Sequence, residues 1–115
     1  TCGGIRHMKQ YKVEYTPAAK ADLKSIYTYI AFQLKERTTA RNIVNRIRKQ
    51  IRELDTSPER YAAVDWKPWS EMGMRKIPVG NYVVFYYLIH DTDVVMINRI
   101  FYGGRNIEGI VKESE

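Results

Sequence analysis

Four cations stand within one aromatic-rich stretch running from Gly73 to Val111: Arg75, Lys76, Arg99 and Arg105. Tyr82, Tyr86 and Tyr102 are interleaved with them. Arginine offers a planar fork to two phosphate oxygens and lysine a compact point charge, so the group can hold a phosphodiester as negative charge develops on it. The phenols beside it can stack on a base or pass a proton. Tyr82 and Tyr86 fall in a run that reads as a central strand, where core packing is their more economical role. A second group, Arg41, Arg48, Lys49 and Arg52 with Arg46 nearby, forms either a solvated helix face or a docking surface for nucleic acid or an acidic peptide.

Other chemistries are narrowed by composition. Cys2 is the only cysteine, which excludes disulfides within the chain, four-cysteine metal sites and a two-cysteine redox motif. No metal or cofactor is expected. His90 sits in a polar turn, where a solvated imidazole is the simpler reading. With 115 residues and a net charge of +6, the expectation is one small domain whose surface attracts polyanions or an acidic protein. No run approaches the ~18 apolar residues that span a bilayer, and no secretory signal is visible, so a cytoplasmic protein without a membrane partner is expected. Residues 1–7 carry no periodic pattern and read as an expression leader, leaving 8–115 as the single domain.

The elements that must position these groups follow from periodicity. Gln10 to Tyr15 alternates as a half-buried strand. Thr16-Pro17 starts a helix, because threonine accepts a first-turn N–H and proline suits the first helical position. Ala19, Leu23, Ile26, Tyr27, Ile30 and Leu34 make one apolar stripe. After a polar break at Lys35 to Thr39, Ala40, Ile43, Val44, Ile47, Ile51 and Leu54 make another, closed by Ser57-Pro58. Tyr61 to Met72 reads as a loop whose Trp66 and Trp69 cover an edge of the core. Arg75 to Val79 is an edge strand containing Pro78; Gly80-Asn81 is a turn; Tyr82 to Ile89 is a central strand and Val94 to Phe101 the last. The predicted fold is α+β in two layers, β-α-α-β-β-β, with a helical hairpin on one face of a mainly antiparallel four-stranded sheet and the other face open. Strict alternation would place Arg99 on the side of Ile97 and Phe101, with Asn98 and Tyr102 opposite.

Four fragments in this order, "YKVEYTPAAKADLKSIYTYI", "IRELDTSPERY", "GMRKIPVGNYVVFYYL" and "VVMINRIFYGGRNIEGI", make the chain resemble the RelE/ParE superfamily of type II toxin-antitoxin toxins, also known as plasmid stabilisation proteins. The resemblance covers roughly Tyr11 to Ile110. It implies a growth-inhibiting toxin neutralised by a cognate antitoxin that wraps across the sheet and helices. It also implies one of two targets. RelE-like members are ribosome-dependent endoribonucleases (mRNA interferases), for which Arg75, Lys76, Arg99, Tyr102 and Arg105 are the matching candidates; ParE-like members inhibit DNA gyrase by binding it. In the RelE-like pattern an arginine follows the tyrosine of the "GY" element, whereas Val83 follows Tyr82 here. RelE-like members also often carry a tyrosine beyond the last arginine, whereas Asn106 to Val111 contains none. Both departures lean toward a gyrase inhibitor, with the ribonuclease as the alternative and a non-toxic basic nucleic-acid-binding module as a third reading.

Overall fold

The computed structural model describes residues 10–104 and 107–113. Arg105 and the segment 1–7, with Cys2 and His7, lie outside them. The chain forms β1 (Lys12–Tyr15), α1 (Pro17–Thr28) continued by a wider π turn (Tyr29–Gln33), α2 (Arg37–Arg52), β2 (Arg75–Val79), β3 (Tyr82–Ile89), β4 (Val94–Tyr102) and α3 (Ile107–Glu113). The sheet order is β1-β4-β3-β2, with β1 parallel to β4 and the other two pairs antiparallel. This is the expected α+β arrangement, with α1 and α2 on one face.

Thr16 begins α1 as its type and position require. Its hydroxyl oxygen accepts the Ala19 N–H at 3.0 Å and its O–H donates to the Asn98 carbonyl at 2.9 Å, so one side chain caps the helix and ties it to β4. Below the hairpin, Ala19, Leu23, Ile47, Ile51 and Leu54 pack on Ile77, Val84, Tyr86, Val95, Ile97 and Ile100. Burying each large aliphatic chain contributes roughly 1.5 to 3 kcal/mol, which is why two short helices dock on the sheet at all.

Three features differ from the sequence reading. The far face of the sheet is covered: Trp69, Val64, Met74, Phe85, Phe101 and Val111 form a second cluster under the 61–74 loop and α3. Trp66 stacks on Trp69 at 5.1 Å, Trp69 meets Phe85 at 4.8 Å and Phe85 meets Phe101 at 6.1 Å, so the loop tryptophans are a core rather than an edge cover. The helix α3 has no counterpart in the predicted element order.

The second difference is a bulge in β4. Phe85 lies opposite Arg99 but Tyr86 opposite Ile97, so Asn98 is an extra residue. It reverses the alternation, putting Ile97 and Ile100 together in the helix-side core while Phe101 enters the other cluster. Third, Leu34 leaves the apolar stripe. The Leu34 N–H bonds the Tyr29 carbonyl five residues back at 3.1 Å, and the extra residue in that turn rotates the next positions by about 100°. Leu34 is 52% exposed. α2 then begins at Arg37, inside the expected polar break.

β2, the edge strand that tolerates Pro78, is shielded by the loop before it: Lys76 N–H donates to the Ala62 carbonyl and Val64 N–H to that of Met74. No helix among the described residues is long and apolar enough to cross a membrane.

Candidate functional site

Among the described residues, the cations of the last third do not converge. Arg75 Nη1 donates to the Tyr61 carbonyl at 2.6 Å, and Arg75 pairs across the sheet with Tyr86. Tyr86 is fully buried, its hydroxyl donates to the Pro58 carbonyl, and burial pushes its pKa far above the usual phenol value despite the nearby Arg75 charge. Lys76 is exposed and, as Arg75's neighbour on a strand, points to the opposite face. Arg75 and Arg99 are separated by β3, so their backbones are roughly 10 Å apart. Arg105 lies outside the described residues. Among the three cations described, no two reach for one phosphate.

Arg99 is held by α1. Its Nε and Nη2 donate to the two Asp22 carboxylate oxygens at 2.8 and 3.1 Å, and its guanidinium lies 4.6 Å from the Phe101 ring centroid. Asp22 Oδ2 also accepts the Ile100 N–H at 2.9 Å. The reason lies in strand length. β1 pairs only with Val94 to Ile97, so from Asn98 onward β4 has a strand on its β3 side alone, and Asp22 takes the place of the missing ladder partner on the other edge. Asp22→Ala strands a buried N–H and an arginine together. It is expected to cost about 2 kcal/mol in urea unfolding, with Asp22→Asn retaining part of that because it still accepts from Ile100.

Beyond Asp22 the same edge opens into a groove of about 730 Å³ between α1, the π turn, the start of α2 and the end of β4. Ile26, Tyr29, Leu34, Ile43, Tyr82 and Tyr102 give it an apolar lining. Tyr102 is 50% exposed there, with its ring edge-on to Tyr82 at 5.8 Å. The Tyr82 pKa is raised, by burial first and then by Tyr102 and Tyr29, so its phenol keeps its proton at neutral pH. Phe32, also exposed, borders an adjoining hollow at the hairpin tip. Tyr29, Phe32, Leu34 and Tyr102 thus concentrate exposed apolar surface at one end of the molecule, the mark of an interface for another chain.

On the outside of the hairpin the character is opposite. α2 carries Arg37, Arg41, Arg46, Arg48, Lys49 and Arg52, all exposed, and no carboxylate. None of the six forms an ion pair among the described residues. Arg48 lines a hollow of about 470 Å³, walled on the α1 side by Lys20 and Lys24 and floored by Tyr15, Leu23, Tyr27 and Val44. Burial raises the Tyr15 pKa, while Arg48 and Arg52 pull it back down.

Among the described residues no three His, Cys, Asp or Glu come together to hold a metal ion. His90 is exposed in the β3–β4 turn. Sequence reasoning missed Asp22, Tyr29 and Leu34. Asp22 and Arg99 are 77 residues apart, and nothing local announces the pair. The consecutive polar residues Asn98 and Arg99 were a signal for the bulge, and Ile107, Ile110 and Val111 at helical spacing were one for α3.

Residues 13–107 match the model of the family described as the ParE toxin of the type II toxin-antitoxin system, parDE. The fold is similar to a chain of the chromosomal ParDE system from P. aeruginosa, at TM-score 0.67 and 21% identity over 82% of this chain and 97% of that one. It is also similar to a chain of the RelBE2 toxin-antitoxin complex from Mycobacterium tuberculosis, at TM-score 0.64 and 18% identity over 84% and 94% of the two chains. A chain of the archaeal RelE–RelB complex from Pyrococcus horikoshii OT3 gives 0.58 and 16% over 84% and 98%. No curated protein sequence matches the chain. At these identities the structural likeness is one of fold.

Proposed function

The chain belongs to the ParE toxin family of type II toxin-antitoxin systems, and on that premise we propose that it arrests bacterial growth by binding DNA gyrase rather than by cutting RNA. The observation that carries this reading is the engagement of the two arginines best placed for phosphate chemistry: Arg75 is bound to the Tyr61 carbonyl and Arg99 to Asp22. Ribose 2′-hydroxyl attack requires a base, an acid and a cation on one phosphate. Tyr82 and Tyr86, the phenols beside these cations, have pKa values moved away from neutrality, which suits packing and not proton transfer.

A cognate antitoxin is the partner that fits the groove at Tyr29, Leu34 and Tyr102. The similar ParDE, RelBE2 and RelE–RelB structures are of toxin-antitoxin systems or complexes, and an apolar cleft rimmed by exposed aromatics is suited to an amphipathic segment laid into it.

Controlled expression in bacteria with parallel readouts of supercoiling and translation tests the reading. Relaxed plasmid and an induced DNA-damage response, with transcripts intact, are expected. Cleaved mRNA on arrested ribosomes, lost in Arg75→Ala, would assign the chain to the ribonuclease branch. Harmless overproduction of soluble protein without antitoxin would leave a nucleic-acid-binding module.

A further inference from the structure

We propose that the outer face of the hairpin, Arg41, Arg48, Lys49 and Arg52 of α2 with Lys20 and Lys24 of α1 across the hollow, binds the phosphate backbone of duplex DNA, and does so apart from the apolar groove. The distribution of charge is the first reason. Six of the chain's 19 cations lie on α2 and no carboxylate does, so this one helix carries a charge as large as the net +6 of the whole chain.

That concentration works against the fold. Arg37 and Arg41, and again Arg48 and Arg52, are like charges one turn apart, each pair opposing the helix, and no acidic side chain on α2 relieves them. A polyanion turns this repulsion into attraction. The row from Arg41 to Arg52 is about 16 Å long, and a duplex presents roughly one negative charge per 1.7 Å of its axis.

The kind of polyanion is set by the groups missing from the face. Among the described residues the exposed large apolar ones are Tyr29, Phe32, Leu34, Met72 and Tyr102, and none is on this face. A protein interface centre is depleted of charge and rich in aromatics. Single strands stack their bases on aromatics, and here Tyr15 and Tyr27 are half-buried in the floor of the hollow. Cations without anchors suit a duplex backbone read without regard to sequence. The choice of DNA over RNA rests on the gyrase reading, since gyrase works on DNA.

The test is a fluorescence-anisotropy titration of the purified chain, without gyrase, against a mixed-sequence DNA duplex of about 20 bp at salt between about 50 and 200 mM. It therefore reports on the surface whether or not gyrase is inhibited. Salt-dependent binding is expected, weakened roughly eightfold at 0.1 M by each of Arg48→Gln and Arg52→Gln, with the salt slope falling by about one per cation removed. Lys67→Gln, which removes a cation paired with Glu71 on the 61–74 loop, should leave binding almost unchanged. Removing exposed like charges from α2 should not unfold it, and circular dichroism verifies that. An equal loss in Lys67→Gln would show an effect of net charge alone and overturn the proposal. So would absence of binding at low salt, or tighter binding of polyglutamate, single strands or duplex RNA.

Discussion

Tyr29→Asp combined with Leu34→Asp is expected to weaken capture of the cognate antitoxin by at least about 100-fold. Both residues are more than half exposed and line the apolar groove, so neither change should cost the isolated toxin more than about 0.5 kcal/mol. In the complex, each carboxylate would be buried against apolar groups without a partner. Central anchors of this kind are typically worth about 2 kcal/mol or more, and about 1.4 kcal/mol is a factor of ten, so two together exceed 100-fold even after allowance for non-additivity. Calorimetric titration with the antitoxin measures the loss directly. In cells the same pair should remain toxic when the antitoxin is co-expressed. A folded double variant that binds with unchanged affinity would place the antitoxin elsewhere on the toxin.

Trp69→Ala is expected to lower stability by about 3 to 5 kcal/mol, a large part of the roughly 5 to 15 kcal/mol available to a domain of this class. Trp69 sits at the centre of the second cluster, stacked on Trp66 and packed on Phe85. Its removal leaves a cavity that the 61–74 loop cannot close, because the loop is also tied to the β2 edge through Ala62 and Val64. Loss of that cover would expose the far face of the sheet. Urea unfolding is the measurement. A loss below about 1 kcal/mol would contradict the view that this face is a true core, and Trp69→Phe should recover part of the lost stability because it keeps an aromatic partner for Phe85.

The layer order was legible in the sequence because it rests on local signals. Thr16-Pro17, the Ile47 and Ile51 stripe and the run from Tyr82 to Ile89 each announce their element within a few residues. The features that escaped depend on contacts between distant residues. Alternation along β4 is correct as far as Ile97 and fails at Asn98, so it puts Arg99 and Phe101 on the side of Ile97, although Phe101 packs in the opposite cluster. Periodicity carries Leu34 into the core because it assumes 3.6 residues per turn throughout, which the π turn at Tyr29 to Gln33 does not obey.

The candidate site was legible in part for the same reason. Charge on α2 can be counted residue by residue, and the exposed face is where the count places it. Whether Arg75 and Arg99 are free to hold a phosphate depends on the Tyr61 carbonyl and on Asp22, which adjoin them only in the folded chain.

Toxicity by binding gyrase is the central claim, and the most direct measurement is a supercoiling reaction with purified gyrase, relaxed plasmid and increasing amounts of purified toxin. Progressive loss of supercoiling, restored when the cognate antitoxin is added, is the expected result. Undiminished supercoiling at saturating toxin would contradict it.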